Sequence, residues 1–331
     1  MAAAAVAYRT GLIPRREARR RIRRSLEALE KIEKWRGFPV PWILVRTLKR
    51  VHGDQFSYAS HLSVLIGGLV VTKAALPETS ERIRRFLGPM RLRDLYDPKT
   101  GWFRGGYDMK TNNFSVFQPW GHWYYKHFAS EVRLLSFYAI ATGQVPAEHW
   151  KALLRPKIKI EGKKVMASGY EEAGLGVPYL TGLFLDERRK AVGESQKNYA
   201  KAQIKHGKRM KAPVWGWASS TTPAGRYLSY GEMRDEIVTP YASLLAALYF
   251  RKDAYGNLKK LETFPGMRGE YGFKDSLNWQ TGETARQWFT PSQGMAFLSL
   301  ANILFDGIVW KSFAADETVQ NGLAEISGRS K

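Results

Sequence analysis

The chain has 331 residues and 37.7 kDa, room for one large domain or two ordinary ones, and no cysteine, which excludes disulfides, thiolate metal centres and a cysteine nucleophile. Its 52 Lys and Arg against 30 Asp and Glu give a formal charge of +22 and a pI near 10.0, so its surface potential attracts anions. With 44% apolar residues it is composed like an ordinary globular protein, and no run reaches the roughly 18 apolar residues of a membrane helix.

The opening MAAAAVAYRT has too short an apolar run for an export leader and lacks its basic start, so no export signal is expected there. Pro14 opens a helix over 15–35, where Ile22, Leu26, Leu29 and Ile32 recur every three or four residues along a basic surface. Further helices are expected over 61–75 and 81–87. Between 97 and 118, Asp97-Pro98, Gly101, Gly105-Gly106 and Asn112-Asn113 alternate with aromatics and predict a hairpin. The pattern returns to helix over 131–142, stopped by Gly143 and Pro146, and again over 188–210, 237–250 and 295–310. No Ser/Gly-rich linker and no short-period repeat interrupts it. One domain of paired helices over 1–331 is the resulting expectation, with a rim of loops and flexible ends at 1–10 and 314–331.

The positive charge concentrates at 15–24, 157–164 and 197–211. Each run alone reads as a solvated face. Together they favour an anionic partner: an acidic glycan, a membrane surface or a nucleic acid.

Several chemistries lack their motifs. His122 and His127 are five residues apart, but there is no HExxH or other metal pattern. No GxSxG supplies a nucleophile elbow, and the glycines of GGYD and GLGVP have neither phosphate-loop nor dinucleotide context. No cofactor or metal is expected.

The stretch ASEVRLLSFYAIATGQVPAEHW (129–150) resembles a motif of the glycoamylase-like (α/α)6 glycoside hydrolases, which include endo-β-1,2-glucanases and the transglycosylation domain of cyclic β-1,2-glucan synthases. The likeness runs from about 11 to 310. It continues through GLIPRREARRRIRRSLEALEKIEKWRGF (11–38), WFRGGYD (102–108), PVWGWASS (213–220) and the segments DEIVTPYASLLAAL, GEYGFKDSLN and PSQGMAFLSLANILFDGIVW within 235–310. The resemblance implies an all-α fold, an (α/α)6 toroid of paired helices with a small β-hairpin and a loop-built cleft. It also implies a glucan-like polysaccharide or oligosaccharide as partner, and Glu131 as the proton donor to the glycosidic oxygen.

Glycoside hydrolysis needs two carboxyls, one to donate a proton and one to attack or to activate water. For the second, Glu171 and Glu172 in SGYEEAG resemble the family's SGTMFE loop, and Asp235 matches its D-x-x-V-x-PYA segment; Glu232, Glu236 and Asp275 are further candidates. The family acids are elsewhere replaced: Leu44 stands for the Asp of WYDTRTL, Ser60 for the Asp of VSTVDSGNL, Lys126 for the Asp entering the donor helix, and Ser219 for the Glu of PWGISES. Because aromatic faces stack on pyranose rings, the expected sugar contacts are Trp42, Tyr107, Trp123, Tyr124, Trp215, Trp217, Tyr230, Tyr271 and Trp288, joined by Ser219 and Gln293. Two alternatives stay open. One is a non-catalytic glycan-binding or assembly module, in which Glu131 is held by Lys126 or Arg133. The other is a lyase on an acidic polysaccharide built on His122, Tyr124, Tyr125 and His127.

Overall fold

The computed structural model describes residues 1–51, 55–57, 59–108, 111–114, 116–117, 121–169, 174–229, 231–233 and 236–328, with backbone alone at 55–57, 59–60, 116–117 and 121–122. Thirteen α-helices lie among the described residues. They are α1 (Ala2–Arg9), α2 (Arg15–Lys31), α3 (Ala59–Ala75), α4 (Ser80–Leu87), α5 (Arg133–Ala141), α6 (Glu148–Ala152) and α7 (Gly176–Tyr179), then α8 (Ala191–Arg209), α9 (Pro240–Ala246), α10 (Arg251–Glu262), α11 (Thr290–Leu304), α12 (Ile308–Ala314) and α13 (Glu317–Ser327). The fold is helix-rich but not purely helical: among the described residues eight small sheets of two or three strands accompany the helices, where one hairpin was expected. Among the described residues no single helix is long and apolar enough to cross a membrane. The chain packs as two compact units, residues 1–154 with 309–331, and residues 155–308.

In the first unit, α2 buries Ala18, Ile22 and Leu26 and turns its arginines to solvent. It stops at Lys31, short of the expected 35, because Arg36 and Gly37 both take positive φ. That is the geometry of a tight hairpin turn, and the strands Lys34–Trp35 and Phe38–Pro39 pair across it. α3 packs on α5, with α1 against α3 and α13 against α5. The ends of the chain are therefore helical rather than slack over most of 1–10 and 314–331. Ala5 and Val6 are wholly buried, and at Gly322 even a methyl group would collide with Ala141.

The expected hairpin over 97–118 is divided among three sheets, one of them the pair Val116–Phe117 and Gly121–His122. Trp102–Arg104 lies between Tyr96–Asp97 and Tyr124–Tyr125, whereas Gly106–Asp108 lies between Gln55–Ser57 and Asn113–Phe114. Gly105 marks the change of sheet, its N–H donating to Trp123 O at 2.7 Å.

In the second unit, the hairpin Lys157–Ile160 and Lys163–Met166 lies on α8, and α9 packs against α10 and α11. The helix expected from 237 starts only at Pro240. β-branched Ile237 and Val238 pair instead with Leu277–Asn278, and Thr239 is extended, as the residue before a proline prefers. The helix expected over 295–310 begins earlier, at Thr290, and breaks after Leu304, where Asp306 and Gly307 take positive φ.

Candidate functional site

Glu131 stands one residue before Val132, the N-cap of α5, in a turn rather than inside the helix. Backbone bonds fix that turn. Phe128 N donates to Leu154 O at 2.8 Å and Leu154 N to Lys126 O at 2.7 Å, while Ser130 Oγ donates to His127 O at 2.7 Å. Arg133, 1% exposed, lies over the Phe128 ring and donates from Nη1 to Phe128 O at 2.7 Å. Glu131 is itself buried at 8% exposure, with Oε2 shielded from solvent. The main chain that carries this carboxyl is thus fixed on both sides of it.

The aromatics of the same unit divide by what covers them. Tyr107 is a core residue, 6% exposed, its ring stacked on Trp35 at 4.0 Å and its hydroxyl donating to Asn112; this corrects its expected sugar contact, because no ring face is open. The Tyr124 hydroxyl donates to Asp97 Oδ2 at 2.7 Å, and that bond, with burial, raises its phenol above the ordinary range while holding Asp97 low. Trp123 is half-buried against Tyr125. Trp42 is exposed and meets His61 edge-on at 5.4 Å; its neighbour Leu44, at the family's Asp position, is exposed as well. The Lys126 ammonium faces the Trp102 ring.

In the second unit, the segment 214–221 is a buried strap held from two sides. Gln203 of α8 accepts from Trp217 N at 2.9 Å and donates to Trp217 O at 2.7 Å. Asn257 of α10 does the same for Trp215, accepting from its N at 3.0 Å and donating to its O at 2.6 Å. Gly174 and Gly231 press on the strap at Ala218. A methyl group at Gly174 would collide with Ala218 and Trp217 O, and one at Gly231, whose φ is +57°, with the Ala218 carbonyl. Trp217 is 1% exposed and edge-on to His206, which makes it a core ring rather than the expected sugar platform, and Trp215 is buried at 8% exposure.

Further along the strap, Ser219 Oγ donates to Ser229 O at 2.5 Å, and Ser219 O accepts from the buried Tyr241 hydroxyl at 2.9 Å. Burial raises the Tyr241 phenol well above its usual range. Asp275, 1% exposed, accepts from Thr221 N at 2.6 Å and Thr221 Oγ1 at 2.7 Å through Oδ2. Its carboxylate is an anchor of the strap. Gln293 donates to Phe273 O at 2.8 Å. Trp288 receives the Lys274 ammonium 3.4 Å above its ring and the exposed Tyr271 at its edge.

Glu171, Glu172, Tyr230 and Asp235 lie outside the described residues, as does the side chain of Ser60. Of the other carboxyl candidates, Glu232 is half-buried and Glu236 exposed. Sequence reasoning missed Gln203 and Asn257; the available signal was an amide on the buried face of each helix. Among the described residues no three His, Asp or Glu side chains are grouped to hold a metal.

Residues 123–317 match the family model described as "Glycoamylase: Putative glucoamylase". Over 280 residues the chain is 28% identical to the cyclic β-(1,2)-glucan synthase NdvB of Rhizobium meliloti (strain 1021), an alignment covering 77% of this chain and 10% of that protein. The chain thus matches about a tenth of that relative's length. A "putative glucoamylase" from Bacteroides fragilis NCTC 9343 superposes with a TM-score of 0.83 at 18% identity, over 98% of this chain and 83% of that one. The endo-β-1,2-glucanase of Chitinophaga pinensis, solved with sophorotriose and glucose, gives 0.76 at 17% identity, over 98% and 84%. At those identities the likeness establishes fold.

Proposed function

The chain belongs to the glycoamylase-like family, and from that membership we propose that it acts on a glucan as a glycoside hydrolase or transglycosylase, with Glu131 as general acid. The fold that goes with this reading is the family's (α/α)6 toroid, supported by the helix-rich architecture and the fold likeness to the glucanases. The observation that carries the chemistry is the setting of Glu131, a buried carboxyl on a turn pinned by Leu154 and by Arg133. A general acid must meet the leaving oxygen in one orientation, and a pinned turn supplies it.

The reaction needs a second carboxyl, to form a glycosyl intermediate or to take a proton from water. Glu171, Glu172 and Asp235 remain the nominees. Glu171 and Glu172 stand three and two residues ahead of Gly174, which presses on the strap. Asp275 is set aside because Thr221 occupies its Oδ2. The aromatics among the nominees that keep accessible surface, Trp42, Trp123, Tyr124, Tyr271 and Trp288, are the proposed sugar contacts.

One observation favours a second reading, a non-catalytic glycan-binding module. Ser219, at the position of the family nucleophile, donates its hydroxyl to Ser229 O, and among the described residues no carboxylate or imidazole is bonded to it. The lyase alternative loses ground because the Tyr124 phenol is raised and tied to Asp97, the reverse of what a tyrosine base requires. Incubation of the wild-type protein with β-1,2-, β-1,3- and β-1,4-glucans, with new reducing ends and product lengths measured, tests the proposal. Cleavage or transfer on one of them is the expected result. Binding without any product from the whole panel establishes the module instead.

A further inference from the structure

The segment after Val40 doubles back on itself and turns an apolar face outward. Ile43 and Arg50 form an antiparallel bridge, with Leu44 N donating to Lys49 O at 2.8 Å and Val51 N to Trp42 O at 3.0 Å. Because side chains alternate along each arm, this register puts Ile43 and Arg50 on one face, and Trp42, Val51, Leu44 and Lys49 on the other. The first face is half-buried. On the second, Leu44 is 52% exposed, and Trp42, Val51 and Lys49 are exposed with it. Val45, at the tip, is 85% exposed. The turn itself is tight, Thr47 N and Leu48 N both donating to Leu44 O, at 3.1 and 2.7 Å. Its residues, Val45 to Leu48, include none of the Gly, Pro, Asn or Asp that turns ordinarily use, and Leu48 takes a φ of +57°, which strains any side chain but glycine's. Leu44 and Val45 therefore serve neither the core nor the turn, and a contiguous exposed apolar patch of this kind marks a contact with something outside the chain.

Area, polarity and charge together identify the occupant. Trp42, Leu44, Val45 and Val51 expose well under the roughly 800 Å² that each side of a stable protein interface buries. A sugar needs hydrogen-bonding groups beside its stacking ring, and Leu44, Val45 and Val51 supply none. Arg46 follows Val45 in the turn and Lys49 stands directly opposite Leu44, both exposed. Among the described residues no carboxylate pairs with either cation, Glu33 being engaged by Arg50 at 3.5 Å. A convex apolar tip flanked by cations suits an anionic membrane interface, where aliphatic side chains enter the acyl boundary and long basic ones stretch back to the headgroups. We propose that this tip inserts into an anionic lipid bilayer, with Leu44 and Val45 in the apolar layer and Arg46 and Lys49 at acidic headgroups. The proposal does not rest on the glucan reading. None of these four residues is a nominated carboxyl or sugar contact, and Trp42 stays at the base of the hairpin, edge-on to His61.

The chain has no cysteine, so a polarity-sensitive dye attached to Val45→Cys in the full chain reports from the tip alone. With phosphatidylcholine vesicles containing roughly a third of phosphatidylglycerol, its emission should shift to the blue and become protected from an aqueous quencher. The same dye on Tyr255→Cys, exposed on α10, should not respond. Vesicles of phosphatidylcholine alone should bind weakly, and rising salt should weaken binding to the anionic ones. Leu44→Ser with Val45→Ser should reduce co-sedimentation with anionic vesicles by about tenfold or more, and Arg46→Gln with Lys49→Gln by a similar factor. Both double variants alter exposed positions and should keep the wild-type melting curve and any glucan binding. Four results overturn the proposal: equal dye responses at the two sites, equal binding to neutral vesicles, vesicle binding that both double variants retain in full, or glucan binding lost from the Leu44/Val45 variant while the wild type ignores vesicles.

Discussion

Gln203 closes a two-bond ring with the main chain of Trp217, its Oε1 accepting from Trp217 N at 2.9 Å and its Nε2 donating to Trp217 O at 2.7 Å. Trp217 O also receives Leu175 N at 2.9 Å, so one carbonyl joins α8, the strap and the segment entering α7. Replacing Gln203 by Ala removes the side-chain acceptor of the buried Trp217 N–H and a donor to its carbonyl. A loss of about 2 kcal/mol is expected, read from urea unfolding at constant m. A change within a few tenths of a kcal/mol would show that water restores the bonds.

Gly231 makes a second test of the strap. Its φ of +57° and its contact with the Ala218 carbonyl both exclude a side chain. Gly231→Ala should cost about 2–3 kcal/mol through strain and displacement. Gly11, also at positive φ but with nothing near its Cβ, is the control, and its Ala variant should cost about 1 kcal/mol. Equal costs at both positions would mean that the strap gives way.

Glu131→Gln keeps the shape of the side chain and removes the transferable proton. If Glu131 is the acid, turnover should fall by about 100-fold or more with glycan affinity nearly unchanged. In a binding module there is no turnover to lose. Reducing-end assays alongside glycan binding and melting curves separate these outcomes, and turnover that survives the substitution would remove Glu131 from the acid's role.

His149 makes a pH-dependent contribution. It is fully buried, Nδ1 donating to Gly101 O at 2.7 Å and Nε2 accepting from Ser136 Oγ at 2.9 Å, and burial pushes its pKa down to about 4. The unfolded chain binds a proton below about pH 6.5 while the folded protein keeps the ring neutral. Its contribution is therefore whole above pH 6.5 and declines as pH falls towards 4, by about 3 kcal/mol in all. Denaturation at pH 7 and pH 4.5 should show a smaller pH loss in His149→Gln than in the wild type, although the variant is less stable at pH 7. Parallel losses would mean that the ring titrates normally in the folded state.

What the sequence determined by itself is local. The stripe of Ile22, Leu26 and their neighbours defines α2, and the expected helices at 61–75, 81–87 and 188–210 lie within three residues of α3, α4 and α8 at each end. Periodicity repeats within a few turns and needs no distant partner to be seen. The run 129–150 also carries the family assignment and singles out Glu131. What only tertiary structure decided is the environment of each side chain. Trp217 and Tyr271 both read as sugar platforms in sequence, yet one is a core ring and the other exposed. Asp275 reads as a spare carboxylate until Thr221, 54 residues away in the chain, is seen bonded to it. Ile237 and Val238 suit a helix or a strand equally, and their pairing with Leu277–Asn278 makes them strand. Burial and hydrogen bonding depend on partners brought together from far along the chain, and no local pattern contains them.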